Sequence, residues 1–232
     1  MRQKERFDLE KGEKFDLTKE NAGLNTVQVR LAWKGPDIDA SSFLLGRDEV
    51  ILRDFDFVYF KSNNREGTFQ EYQEKIKKDG CWSEDTEKRK RATRTTWMED
   101  VRPMSSDGGL LGSIDDLGED TDPNAESDET IDVTLENISS DITAIVFVIT
   151  VYNNPKLPES EHVTFGKITS PYVSVINEET GEELLRYNID EKFDKETGVE
   201  VARLYRDDDG WAFEAIGEGS DGSLQYFVEL YT

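Results

Sequence analysis

The residues best suited to chemistry lie between Asp115 and Glu129, in the run DDLGEDTDPNAESDE, where Asp115, Glu119, Asp120, Glu126, Asp128 and Glu129 crowd together among Gly, Pro, Asn and Ser. No Lys or Arg occurs between Arg102 and Lys156, so nothing within this stretch neutralises the carboxylates. Three readings are open: a solvated acidic loop, an interface for a basic partner, or a site for a hard cation. Calcium suits the third, because it takes six to eight oxygens from carboxylates, amides and carbonyls. A second such stretch is Asp37-Ile38-Asp39-Ala40-Ser41, where Asp37 and Asp39 share a face if the chain is extended. Asp120-x-Asp122-x-Asn124 opens like an EF-hand loop, but the sixth position is Ala125 instead of Gly and the twelfth is Ile131 instead of Glu. With no helical pattern on both sides either, an EF-hand is rejected.

Other chemistry has less support. Paired carboxylates could serve a glycosidase, with Trp33 stacking on sugar, yet acidic residues are so numerous that proximity alone signals little. His162, the sole histidine, sits in the polar run PESEHVTF with no nucleophile motif around it and reads as a surface residue. Cys81, the sole cysteine, lies in a charged segment and reads as incidental. No Gly-rich phosphate loop is present. One Cys and one His exclude structural zinc sites, Cys/His proteases and disulfide frameworks within a single chain.

The net charge of -23 over 232 residues opposes binding to nucleic acid or an anionic membrane and favours cations and basic partners. The basic run Lys88-Arg89-Lys90-Arg91 is diluted by Glu84, Asp85 and Glu87 and reads as solvated. No stretch approaches the roughly 18 apolar residues of a membrane span. The amino-terminal MRQKERFDLEKGEKF lacks the apolar core of a secretory signal, which predicts a cytoplasmic protein.

The elements that must position these residues read as strands. Phe7 to Leu17 predicts a short edge strand, a turn and its return. Val27, Val29 and Leu31 alternate with polar residues up to Trp33, and Gly35-Pro36 breaks that strand. Phe43 to Leu45 and Phe55 to Phe60 extend the pattern. Arg65 to about Pro103 is charged, poor in aliphatic residues and reads as an insertion, with Phe69, Tyr72 and Ile76 predicting a short amphipathic helix and Trp82 and Trp97 as anchors. Ile131 to Leu135 is a strand, and the apolar Ala144 to Tyr152 predicts a central one. Tyr172 to Ile189 turns at Glu179-Thr180-Gly181 as a hairpin. Val199 to Tyr205 and Trp211 to Ala215 follow, and Leu224 to Tyr231 closes a series of eight to ten strands. The sum predicts an all-β chain: one domain over residues 1–232, built as a two-sheet antiparallel sandwich with one or two short helices and the insertion at about 65–103.

Several phrases also resemble the TerD family of tellurium-resistance and stress-response proteins. They are LEKGEKFDLTKENAGLNTVQVRLAW, the DIDASSFLL run, DFVYF, and above all PYVSVINEETGEELLRYNI and FDKETGVEVARLYRDDDGWAFEAIGEG. Glu119-Asp120 and Asp128-Glu129 align with acidic pairs of the family, and Asn153 stands where an Asp often occurs. The resemblance implies a β-sandwich that binds calcium through acidic loops, has no established enzymatic activity, and works in cytoplasmic or membrane-associated stress complexes. The expected metal ligands are then drawn from Asp37, Asp39, Asp115, Glu119, Asp120, Glu126, Asp128, Glu129 and Asn153. An interaction subunit whose insertion recognises a protein partner, with metal only structural, is the competing class, and a carbohydrate-active enzyme is the third.

Overall fold

A computed structural model describes residues 6–78, 92–114, 127–151, 153, 158, 162–207 and 210–232. Among the described residues, twelve strands form two six-stranded sheets. The first is ordered β1 (Phe7–Leu9), β10 (Glu182–Asn188), β9 (Thr169–Asn177), β3 (Thr26–Lys34), β7 (Ser127–Thr134) and β6 (Leu110–Leu111). The second is ordered β2 (Lys14–Asp16), β12 (Gly210–Ser220), β11 (Gly198–Asp207), β8 (Ala144–Val151), β4 (Ile38–Leu45) and β5 (Phe57–Val58). Every pairing is antiparallel except β1 with β10, which is parallel.

The period-two alternation read from the sequence sets the faces. Val27, Val29 and Leu31 of β3, with Ile131 and Val133 of β7 and Val173 and Val175 of β9, point between the sheets and meet Ile145, Phe147 and Ile149 of β8. In β8 every residue is buried, because its other face is also covered. The cover is helix α4 (Leu224–Tyr231), whose Phe227 and Tyr231 pack with Phe43, Leu45, Val146 and Val148. This explains the unbroken apolar run of β8: a strand with two buried faces has no polar side to alternate with.

Three local expectations change. Phe7 to Leu17 is not a strand and its return, since β1 joins one sheet and β2 the other, and the turn between them bonds to Ala215 of β12 (Gly12 N–H to the Ala215 carbonyl, 2.7 Å). Crossing lets Phe15 and Leu17 enter the core while Phe7 stays 42% exposed. Phe55 to Phe60 keeps only the two residues of β5, because a 3-10 turn at Asp54–Asp56 precedes it and the Ser62 hydroxyl takes the Tyr59 N–H at 3.1 Å. The closing Leu224 to Tyr231 is helical. Its apolar residues 224, 227, 228 and 231 have the spacing of one helix face, and the Ser223 hydroxyl accepts the Gln225 N–H at 3.4 Å as the cap.

Four α-helices are present among the described residues, two more than the upper expectation: α1 (Leu17–Glu20), α2 (Phe69–Lys78), α3 (Arg94–Asp100) and α4. The expected helix beginning at Phe69 is α2, and its Tyr72 and Ile76 pack with Trp97 of α3 in a small core of their own. Thr93 opens α3 with a capping box to Thr96. Arg65 ties this unit to the sandwich. It is 4% exposed and donates from Nη1 to the carbonyls of Met98 (2.9 Å) and Val101, and from Nη2 to that of Phe60. Trp82 lies outside the described residues.

Candidate metal site at one end of the sandwich

Antiparallel register brings four strand ends together. Trp33 near the end of β3 pairs with Ser127 at the start of β7, and Ile38 at the start of β4 pairs with Val151 at the end of β8. Strand β7 therefore begins beside the turn that carries Asp37. That turn is held by the Trp33 Nε1–H, which donates to the Pro36 carbonyl at 2.9 Å. It also needs glycine at its first position. Gly35 has φ of 125°, and a Cβ there would lie 2.7 Å from the Lys167 carbonyl oxygen.

Alternation along β4 sends Ile38, Ala40 and Leu44 into the core, and Asp39, Ser41 and Phe43 to the opposite face, on which Phe43 packs under α4. Asp39 is 8% exposed and Ser41 1%, and Thr150 of β8, opposite Asp39, is buried too. The Ser41 hydroxyl oxygen has no hydrogen-bond partner among the described residues. A buried polar oxygen left unsatisfied is costly, and the Ser42 hydroxyl, next along β4, shares this condition.

Glu129 comes from the other sheet. It is 7% exposed, shares the core-facing side of β7 with Ile131, and its Oε2 accepts the Ala40 N–H at 2.8 Å. Strand β5 pairs only with Ser42 and Phe43, so at Ala40 the ladder on that side has run out and the carboxylate takes its place. Glu129 thus reaches the peptide unit between Asp39 and Ala40 from the core side, while the Asp39 side chain leaves on the opposite face of β4. Asp37 is exposed in the turn. All three residues have further interaction partners in the fold. Asp128 lies on β7 opposite Ala32.

Asn153 follows β8 at the same end, but its amide is engaged with main chain. Nδ2 donates to the Val163 carbonyl at 2.8 Å and Oδ1 accepts the Val163 N–H at 2.7 Å, imitating a strand pair. Asp115, Glu119, Asp120 and Glu126 lie outside the described residues. Among the described residues no group of three or more His, Cys, Asp or Glu side chains could hold an ion by itself. What the strands place near one another in register are oxygen-bearing side chains, the Asp39 carboxylate and the Ser41 and Thr150 hydroxyls, the hard donor type that calcium takes. The hydroxyls were not singled out by composition. The signal was the D-x-D-A-S run itself, in which period two puts Ser41 on the face of Asp39.

Elsewhere, His162 is exposed, in keeping with a surface role. A groove of about 1000 Å³ runs between α2 and the chain leading to the acidic stretch, walled by Tyr72, Ile76, Val101 and Ile114 and edged by Glu71 and Lys75. No helix among the described residues is long and apolar enough to cross a membrane.

Comparison with known proteins accords with this architecture. The family model for the TerD domain matches residues 6–88 and 105–231. General stress protein 16U of Bacillus subtilis is 31% identical over 97% of this chain and 96% of its own length. Tellurium resistance protein TerD of Serratia marcescens is 24% identical over 96% of this chain and 95% of its own. A crystal structure of a homologue of telluride resistance protein (TerD) from Streptomyces coelicolor A3(2) shares the fold at 18% identity, with a TM-score of 0.54, covering 90% of this chain and 99% of that one. With the sandwich, the strand order and these matches together, the chain belongs to the TerD domain family of tellurium-resistance and stress-response proteins.

Proposed function

We propose that this protein is a non-enzymatic, cytoplasmic calcium-binding module of a stress-response system of the tellurite or chemical-damage type. The observation that carries the reading is the buried Asp39 with the unpartnered Ser41 hydroxyl on the same face, at the end where Asp37 and the start of β7 also arrive. Asp39 and Asp37 supply the described carboxylates, and Asp115, Glu119, Asp120, Glu126 and Asp128 are the further candidates. Calcium there would supply positive charge to a chain of net charge -23 and stiffen the strand ends it joins. Names among the relatives, such as Chemical-damaging agent resistance protein B of Clostridium acetobutylicum, 35% identical over 49% of this chain, support the stress setting.

Calorimetric titration of chelator-stripped protein with calcium chloride tests this. Saturable heat and a rise in melting temperature are expected, the stabilisation reaching about 2.7 kcal/mol at a hundredfold excess over Kd. Asp39→Asn with Asp37→Asn should remove most of the rise. Neither heat nor a shift in the wild type would sink the reading.

The groove beside α2 favours a second role as an interaction subunit, in which the 65–103 segment recognises a protein partner. Deleting that segment separates the two: loss of partner recovery with calcium affinity retained assigns recognition to it, and loss of calcium affinity makes it part of the metal site.

A further inference from the structure

Two members of the expected ligand set use their side chains on main chain. Resting on the calcium reading above, we propose that Glu129 and Asn153 are positioning residues, which set the backbone around Asp39 and at the end of β8, and are not themselves ligands. Glu129 bridges the sheets: its Oε2 takes the Ala40 N–H at 2.8 Å, at the point of β4 where β5 no longer pairs. A hydrogen bond to a carboxylate is stronger than one between neutral groups, and this one is buried. It fixes the peptide between Asp39 and Ala40, so it fixes the direction in which the Asp39 carboxylate leaves the strand. Asn153 needs both ends of its amide. Donating to the Val163 carbonyl and accepting its N–H, at 2.8 and 2.7 Å, it holds Val163 against the end of β8 as another strand would.

The two side chains respond oppositely to the exchange of amide and acid. Glutamine at 129 still presents an oxygen to the Ala40 N–H while losing the charge a ligand would need. Aspartate at 153 gains that charge but cannot donate to the Val163 carbonyl. A ligand role therefore predicts weaker calcium binding for Glu129→Gln and tighter binding for Asn153→Asp. The positioning role predicts that Glu129→Gln keeps wild-type affinity, whereas Glu129→Ala and Asn153→Asp lose about tenfold or more, as loss of outer supporting hydrogen bonds does at other metal sites.

The experiment is calcium titration of the full chain and its three variants, with hydrogen exchange at the Ala40 and Val163 amides measured in chelator. Protection of Ala40 should persist in Glu129→Gln and vanish in Glu129→Ala, and protection of Val163 should fall in Asn153→Asp. Affinity lost equally in Glu129→Gln and Glu129→Ala, or gained in Asn153→Asp, overturns the proposal. If Glu129→Ala does not fold, Glu129→Gln against Asn153→Asp still decides. Should the wild type take up no calcium, the calcium reading fails by itself; the exchange pattern continues to test positioning, and equal Ala40 protection in every form refutes it.

Discussion

Two carboxyls outside the expected ligand set, Asp56 buried and Glu200 half-buried, make stability depend on pH. Burial pushes the Glu200 carboxyl above its ordinary value of 4.5, against the opposing effect of the Tyr231 hydroxyl, which donates to it at 2.6 Å. Asp56, with no exposed surface, is likewise raised by burial, with Arg53 beside it opposing the shift. In both cases the folded state holds the proton more tightly than the unfolded chain. The stabilisation is complete below the unfolded value and is lost as pH rises through the higher folded one. Glutamine at 200 can still accept the tyrosine hydroxyl without carrying a charge. Glu200→Gln should therefore gain melting temperature relative to wild type as pH rises from about 4.5 to neutrality. Thermal melts across that range check it, and a constant difference would show that Glu200 does not titrate there.

At the scale of elements, two attachments are separable. The α2 and α3 unit has its own core of Tyr72, Ile76 and Trp97 and is joined to the sandwich through the Arg65 guanidinium. One ammonium cannot span carbonyls that a planar fork reaches together, so Arg65→Lys should cost about 3 kcal/mol in urea unfolding. Exchange in α2 and α3 should quicken while β8 stays protected. Uniform loss of protection would mean that this unit and the sandwich unfold as one. Helix α4 is held differently, by Phe227 at 2% exposure and Tyr231 on the outer face of β4 and β8. Phe227→Ala should cost about 3–5 kcal/mol. It would also loosen Phe43 and Val148, which flank Ser41 on that face, so calcium affinity should fall with it. Calorimetry on the variant reads both effects.

For the whole molecule the dominant fact is charge. At net -23 the folded chain repels itself, and raising ionic strength from about 0.01 to about 0.15 M should raise its melting temperature through screening alone. Calcium should add to this at concentrations too low to screen, and a chelator should remove only that part. A melting temperature indifferent to salt would show that ion pairs such as Arg102 with Asp132 already balance the surface. What the sequence determined by itself is whatever depends on near neighbours. Alternation set the core faces of β3 and β9, an unbroken apolar run marked β8 as central, the Glu179–Gly181 turn set a hairpin, and Asp37, Asp39 and the acidic stretch marked one kind of chemistry. What only the tertiary structure decided depends on which distant backbone comes alongside. The pattern of Phe7 to Leu17 carried no instruction to join two different sheets, and the closing segment revealed its helix face only against β4 and β8. The same holds at the site. Glu129 is one acid among many in its run, and its distinction is an N–H 89 residues away, on a strand of the opposite sheet whose own neighbour has ended. Composition selects the donor atoms, but the register of two sheets decides which of them face an ion and which hold the chain in place.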